Sequence, residues 1–202
     1  IDATIKRIQD PSDPQRVVIP SGQTQVRVRL TGVTVTSQVL TDRLGNHTFF
    51  VQEAFPPADV RFRGIEVFAG RADPGVRPGE VIELIGFYKE YFGMSQIVWG
   101  RHTASASAVP GPLAILTQQL STADLAEPYE GVLIEVGVPL SGSTFAPAVR
   151  VVATGVPSRG GQNPESNDFS VLEASAPATL IPLTVGTHFA PLTPTVDQRF
   201  GF

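Results

Sequence analysis

Few side chains in this sequence are placed to do chemistry. Histidine occurs only at His47, His102 and His188, and cysteine does not occur. No His-Glu-x-x-His or His-x-His spacing brings two imidazoles to one metal ion. Without cysteine there is no thiolate nucleophile, no iron–sulfur cluster, no disulfide and no haem linked through Cys-x-x-Cys-His. Serine is common, but no Gly-x-Ser-x-Gly elbow holds one at a strand–helix turn, and Ser141-Gly142-Ser143 reads as a turn. Glu80 and Glu83 stand three apart in a predicted strand and so face opposite sides. Glu66 is isolated, and Glu90 sits beside Lys89. The run from Asn163 to Asp168 has oxygen donors suited to calcium, but it lacks the Asp-x-Asp-x-Asp-Gly spacing and reads as a solvated turn. No glycine-rich phosphate loop is present. These residues predict a protein that is not an enzyme and has neither metal nor cofactor.

Binding chemistry is better supplied. Phe87, Tyr88, Tyr91, Phe92 and Trp99 cluster within thirteen residues. Aromatic rings on a strand can stack on bases or sugars, most effectively along a positive groove. Alternation puts Phe87 and Tyr91 on one face and Tyr88 and Phe92 on the other. One set should fill a core. The other either meets a ligand or packs on a neighbouring unit. Tyr88, Tyr91, Phe92 and Trp99 are the candidate ligand-binding residues. Arg27, Arg29, Arg61, Arg63, Arg71 and Arg101 supply positive charge, but the formal net charge is −4, so the chain as a whole lacks the cationic surplus of a typical nucleic-acid binder.

The elements that must position these residues are strands. Val26, Val28 and Leu30 alternate with Arg27, Arg29 and Thr31, and Gly32 interrupts where a bulge or barrel corner would fit. Asp42 to Asn46 is a turn signal, followed by a strand at 48–53. Further strands are predicted at 61–69, 80–91 and 95–99, then at 129–138, 149–156, 169–173 and 179–185. Phe50, Val67, Leu84 and Val132 fall in the apolar phase of these strands and are predicted to be buried barrel residues. Glycine and proline, 19 and 18 of 202 residues, are about half again as frequent as usual, which argues against a helix bundle. Leu113, Leu116 and Leu120 recur at helical spacing, and Ser121 to Leu125 resembles a helix start that Pro128 ends. No apolar run approaches the roughly 20 residues that span a bilayer.

The two halves echo one another. Residues 30–35 resemble 130–135, residues 48–53 resemble 168–173, and residues 78–81 loosely resemble 194–197. Gly32, then Phe49-Phe50-Val51-Gln52-Glu53, then Pro78-Gly79 and Val81 running toward Gly86, resemble the bacterial OB-fold domains of exported proteins. Such domains precede the catalytic domain of secreted endonuclease/exonuclease/phosphatase-type nucleases, and they occur in tandem in surface lipoproteins. The resemblance covers residues 22–100 well and is weaker from 129 onward. It implies an OB-like barrel of about five strands and an extracytoplasmic address. It does not imply catalysis, because the nuclease activity of that family belongs to a separate domain.

The expected architecture is all-β: two tandem OB-like antiparallel barrels, 1–100 and 113–202, joined by an Ala/Ser/Pro linker at 101–112 and a short helix. The second copy runs out at Phe202 near the start of its fourth strand, so its barrel is expected to lack a closing strand. Open strand edges invite pairing. The N-terminal residues Ile1, Ala3 and Ile5, with Ile8 nearby, read as a strand that completes its own barrel or enters that of a neighbour. The sequence starts at Ile1, not Met, so either a leader was removed or it begins inside a longer gene; the address that the resemblance implies makes the expectation an extracellular or cell-surface protein after removal of an export signal. The leading expectation is a non-catalytic exported structural or assembly protein that self-associates, for example as a filament subunit, or pairs with another surface protein. The alternative is an OB-fold module that binds single-stranded nucleic acid or glycan.

Overall fold

The computed structural model describes residues 1–42, 44–53, 59, 61–91, 94–107, 113–116, 119, 123–139, 145–147, 149–154, 169–173, 189–190 and 193–194. The described chain is mostly β, with a closed five-strand barrel and a few short helices.

At the N-terminus, β1 (Asp2–Ala3) lies parallel to Arg29 and Leu30. Thr4 then caps α1 (Ile5–Gln9), its hydroxyl oxygen accepting the Arg7 N–H at 3.2 Å. Ile5 and Ile8 are one turn apart and fully buried in the barrel core. The expected strand through Ile1, Ala3, Ile5 and Ile8 is thus corrected to an extended pair followed by a helix. Ile8 is out of phase with Ile5 for a strand and in phase for a helix, and Thr4 supplies the cap.

The barrel is built from β2 (Val26–Val35), β4 (His47–Glu53), β5 (Gly64–Gly70), β6 (Glu80–Tyr91) and β7 (Met94–Ser107), with β3 (Leu40–Thr41) appended to β4. Going round, β2 pairs with β4, β4 with β5, β5 with β7, β7 with β6, and β6 with β2. All pairs are antiparallel except β5–β7, where Glu66 to Phe68 run alongside Gln96 to Val98. Closure depends on Gly32. At a φ of +68° it takes a conformation that costs most residues energy, and the register of β2 on β6 shifts between Leu30 and Val33. Beyond this bulge β2 reaches both neighbours: Val33 and Thr34 pair with β6 on one side and β4 on the other. Inward residues fill the interior: Val28, Leu30, Val33, Phe49, Val51, Ile65, Val67, Ile82, Leu84, Tyr88 and Ile97.

Phe50, Val67, Leu84 and Val132 are all buried, but the expectation that all four lie in a barrel is corrected for Phe50 and Val132. Val67 and Leu84 lie inside the barrel. Phe50 points outward and packs with Leu40 and Met94. Val132 belongs to a separate cluster with Ile115, Tyr129 and Ile134.

Two expectations about the connection change. Arg101 to Ser107 continues β7 against Glu80 to Ile85, so this part of the expected linker is strand. Its small polar residues look like a linker because little packs on them, yet backbone pairing needs no side chain. Leu113 to Leu116 is not helical but forms β8 (Leu113–Leu116), parallel to β9 (Ile134–Pro139). The helix appears later, as α2 (Ala123–Ala126) followed by a 3₁₀ turn, Glu127–Tyr129. No described helix is long and apolar enough to cross a membrane.

Among the described residues, β10 (Phe145–Pro147) adds to β9. Separate pairs join β11 (Val149–Thr154) to β12 (Phe169–Glu173) and β13 (Phe189–Ala190) to β14 (Thr193–Pro194). A second closed barrel is not seen among them. The run Asn163–Asp168 and the expected strand at 179–185 lie outside the described residues.

Candidate functional site

The sidedness of β6 decides which aromatics meet solvent. Tyr88 is buried inside the barrel. Its hydroxyl donates to the Glu90 carboxylate, and the Ser95 hydroxyl donates to the same Glu90 oxygen at 2.9 Å. Burial first, then the Glu90 contact, pushes the Tyr88 phenol up to about 12. With Tyr88 inward, alternation turns Phe87, Lys89 and Tyr91 outward. Phe87 is 38% exposed and Tyr91 42%.

Cross-strand register assembles these side chains into one face. Arg27 of β2 lies opposite Phe87, Phe87 opposite Val98 of β7, and Val98 opposite Phe68 of β5. In the next row Lys89 lies opposite Gln96, and Gln96 opposite Glu66. The Lys89 ammonium stands 5.7 Å from the Phe68 ring centre and 4.6 Å from that of Tyr91. Both separations are within reach of a cation–π contact. Lys89 thus ties two rings into a patch flanked by Phe87.

Charge on this face is mixed. Arg29 and Arg101 both lie opposite Ile85, one on each side of β6. Arg27, Arg29, Lys89 and Arg101 therefore lie in three successive cross-strand rows, those of Ile85, Phe87 and Lys89, accompanied by Asp2, Glu66 and Glu83. Arg29 donates to Glu83 at 2.8 Å and also faces Asp2 at 3.7 Å. The Arg29 hydrogen bond is the main reason the Glu83 carboxyl sits below its ordinary value, with Arg101 adding to the effect. Beside Phe87 and Arg27 the surface opens into a depression of about 490 Å³, lined further by Gly22, Gln23, Thr24 and Gln25.

The outer side of β4 and β5 is different, because the chain itself covers part of it. Gln52 is buried, and its side-chain oxygen accepts the Leu133 N–H at 3.0 Å. The Phe62 N–H donates to the Pro128 carbonyl at 2.6 Å, with Phe62 at a φ of +60°, unusual for so large a residue. Gly131 approaches the backbone of Gly64 and Ile65 directly. Nearby, Gln96 donates to the buried Glu66 carboxylate at 2.8 Å. Glu53 accepts from the Lys6 N–H at 3.0 Å and pairs with Arg63, which joins α1, β4 and the turn before β5.

The expected binding residues are thus divided. Tyr91 lies on the exposed face. Tyr88 is removed from it by burial, a correction that follows from which phase of β6 faces inward. Trp99 packs against the barrel core, its ring centre 6.3 Å from that of His102. Phe92 lies outside the described residues. Phe87 and Arg27 stand out in the sequence as an aromatic and a positive charge but outside the candidate ligand set, and Phe68 and Lys89 carry no sequence signal that joins them to it. The alternation in 87–91 had isolated Phe87 with Tyr91, but only the pairing of β5 with β7 brings Phe68 to them. Among the described residues no group of three or more His, Asp or Glu side chains is placed to hold a metal ion.

No protein-family model matches the chain, and neither a curated protein nor a solved structure shows significant similarity to it.

Proposed function

We propose that this chain is a non-catalytic module of an exported protein, built on an OB-like barrel, that binds a polymeric ligand with flat stacking faces. The observation that carries this reading is the outward array of Phe68, Phe87 and Tyr91 with Lys89 between two of the rings. Rings held by a rigid sheet lose little entropy on stacking, and OB-type barrels bind chains in this manner. The strand circuit supports the OB reading: in chain order the barrel strands run first, second, third, fifth, fourth and back to the first, with one parallel pair. The likeness of residues 130–135 and 168–173 to 30–35 and 48–53 supports a second unit of the same type.

Calorimetric titration of the full chain with single-stranded oligonucleotides and with soluble oligosaccharides tests this. Binding of a member of either class, lost in the double variant Phe87→Ala, Tyr91→Ala and accompanied by no cleavage of the ligand, is expected. No binding of either class, or ligand turnover abolished by one point mutation, overturns it.

A second reading, self-assembly, is favoured by one observation. Residues 101–107 of β7 pair with β6 on one side, and among the described residues no strand occupies the other. Such an edge can add a strand from a second molecule. Light scattering after size exclusion would show a concentration-dependent assembly that Thr103→Pro dissolves. A monomer at all concentrations excludes it.

A further inference from the structure

We infer that residues 123–133 form a strap that fastens to the barrel in acid and loosens as pH rises, so that protonation governs access to the outer side of β4 and β5.

The strap is built to separate. Its described apolar side chains lie outside the barrel core: Tyr129 and Val132 pack with Ile115 of β8 and Ile134 of β9, in a cluster of their own. What joins the strap to the barrel is polar and narrow. The Phe62 N–H donates to the Pro128 carbonyl, Gly131 lies against the backbone of Gly64 and Ile65, and the Leu133 N–H donates to the Gln52 side chain. A segment held by few buried apolar contacts opens at far less cost than the whole fold. Phe62 makes the first of these bonds at a φ of +60°, a conformation that costs a bulky residue energy and that release would relieve.

The charges that meet at this seam are of one sign. Glu127 is half-buried where the 3₁₀ turn begins, and Glu90 of β6 and Asp124 of α2 both act on it. Burial first, then Glu90 and Asp124, push its carboxyl above the ordinary value. The nearby cations are directed elsewhere. Arg16 acts on Tyr88, and Arg61 donates to Asp59, with Tyr129 and Asp10 adding to its surroundings. Glu90 accepts from the Tyr88 and Ser95 hydroxyls. Two further carboxyls are buried within two residues of the Gly64–Gly131 contact: Glu130 on the strap, and Glu66 on β5, which accepts from Gln96 at 2.8 Å.

The direction follows from which state holds the proton. With the strap fastened, Glu127 keeps its proton to a higher pH than it would once released into water. Fastening is therefore strongest below the ordinary glutamate value, near 4.5, and is lost as pH rises through the raised one. Above that window the fastened Glu127 is a half-buried ion beside two others of its own sign. Release restores its hydration and bares the Gln52 amide and the backbone of Gly64 and Ile65.

Amide hydrogen exchange of the full chain between about pH 4 and about pH 8, corrected for the intrinsic effect of pH on exchange, tests this. The Phe62 and Leu133 amides report the strap, because the two bonds across the seam hold them. The amides of Val67 and Leu84, within β5 and β6, report the barrel. Protection at Phe62 and Leu133 should fall with rising pH, by up to about tenfold per pH unit within the titration window, the limit for one proton. The barrel amides should not follow. Glu127→Gln cannot ionise and should keep protection at its acid level throughout, with a thermal melt matching the parent. Should that variant melt early, Asp124→Asn, at an exposed position, removes one of the two repelling charges and should shrink the decline. Three results overturn the inference: protection at Phe62 and Leu133 that ignores pH, a decline that neither variant reduces, or barrel amides that lose protection in step with the strap.

Discussion

Gly131 and Gly64 meet backbone to backbone: a Cβ placed on Gly131 would stand 2.6 Å from the Gly64 carbonyl carbon and 2.5 Å from the Ile65 nitrogen. This contact seats the turn after the 3₁₀ segment against the first residues of β5. The Leu133 bond to Gln52 and the Phe62 bond to Pro128 flank it on either side. A side chain at either glycine would hold the two backbones apart and break both bonds.

Gly131→Ala should accordingly destabilise the chain through crowding, by about 1–3 kcal/mol, and further through its φ of +70°. Gly45→Ala is the comparison. Gly45 has a φ of +78° but no atom within 4 Å of a built Cβ, so it bears the conformational cost alone. Denaturant unfolding should rank Gly131→Ala as the more damaging. Equal losses would show that the contact with β5 contributes nothing.

Leu84→Ala should cost roughly 2–5 kcal/mol, because it opens a cavity in the closed barrel where the surrounding strands cannot collapse. Leu84 is fully buried, whereas Leu44, in the turn before β4, is 72% exposed. Leu44→Ala should fall within about 0.5 kcal/mol of the parent. Urea midpoints of the two variants check the contrast, and similar midpoints would refute the assignment of the barrel interior.

Deleting residues 1–8 should destabilise the barrel itself. Ile5 and Ile8 are part of its core, and the Lys6 N–H bonds Glu53 on β4. Ile8→Ala, a gentler change, should cost roughly 2–5 kcal/mol. Thermal melts of both variants at several protein concentrations are informative. An unchanged melting temperature would refute the place of Ile5 and Ile8 in the barrel core.

Tyr88 should make the fold sensitive to alkali. Its phenol, ordinarily near 10.0, is held up to about 12. Between those values the unfolded chain loses a proton that the folded chain keeps, so stability is fully present below about pH 10 and declines as pH rises toward 12. Tyr88→Phe should flatten this decline and remove a step near pH 12 from the phenolate absorbance titration. A decline of the same size in Tyr88→Phe would point to other groups.

Period-two patterning is a local property, and it located three strands closely. β4, β6 and β12 fall within a residue of their expected positions, and Gly32 was legible as a corner because glycine alone tolerates the left-handed backbone there cheaply. Errors arose where two local signals of similar strength competed. Leu113 to Leu116 fits a helix by spacing and a strand by pairing, and the partner at Ile134 to Gly137 is not a local feature. Residues 5–9 are equally short, and burial of Ile5 and Ile8 settled them as helix.

The candidate site divides in the same way. Alternation alone determined that Phe87 and Tyr91 oppose Tyr88, since successive side chains on a strand must point to opposite sides. Which set faces solvent was decided by closure of the barrel, because closure gives every strand an inside and buries whichever phase completes the core. Phe68 joined Lys89 through the parallel pairing of β5 with β7, a contact across 21 residues of sequence between Phe68 and Lys89 that no local pattern encodes. Composition likewise set the net charge at −4, but only the folding of β2, β6 and β7 side by side gathered Arg27, Arg29, Lys89 and Arg101 onto one surface.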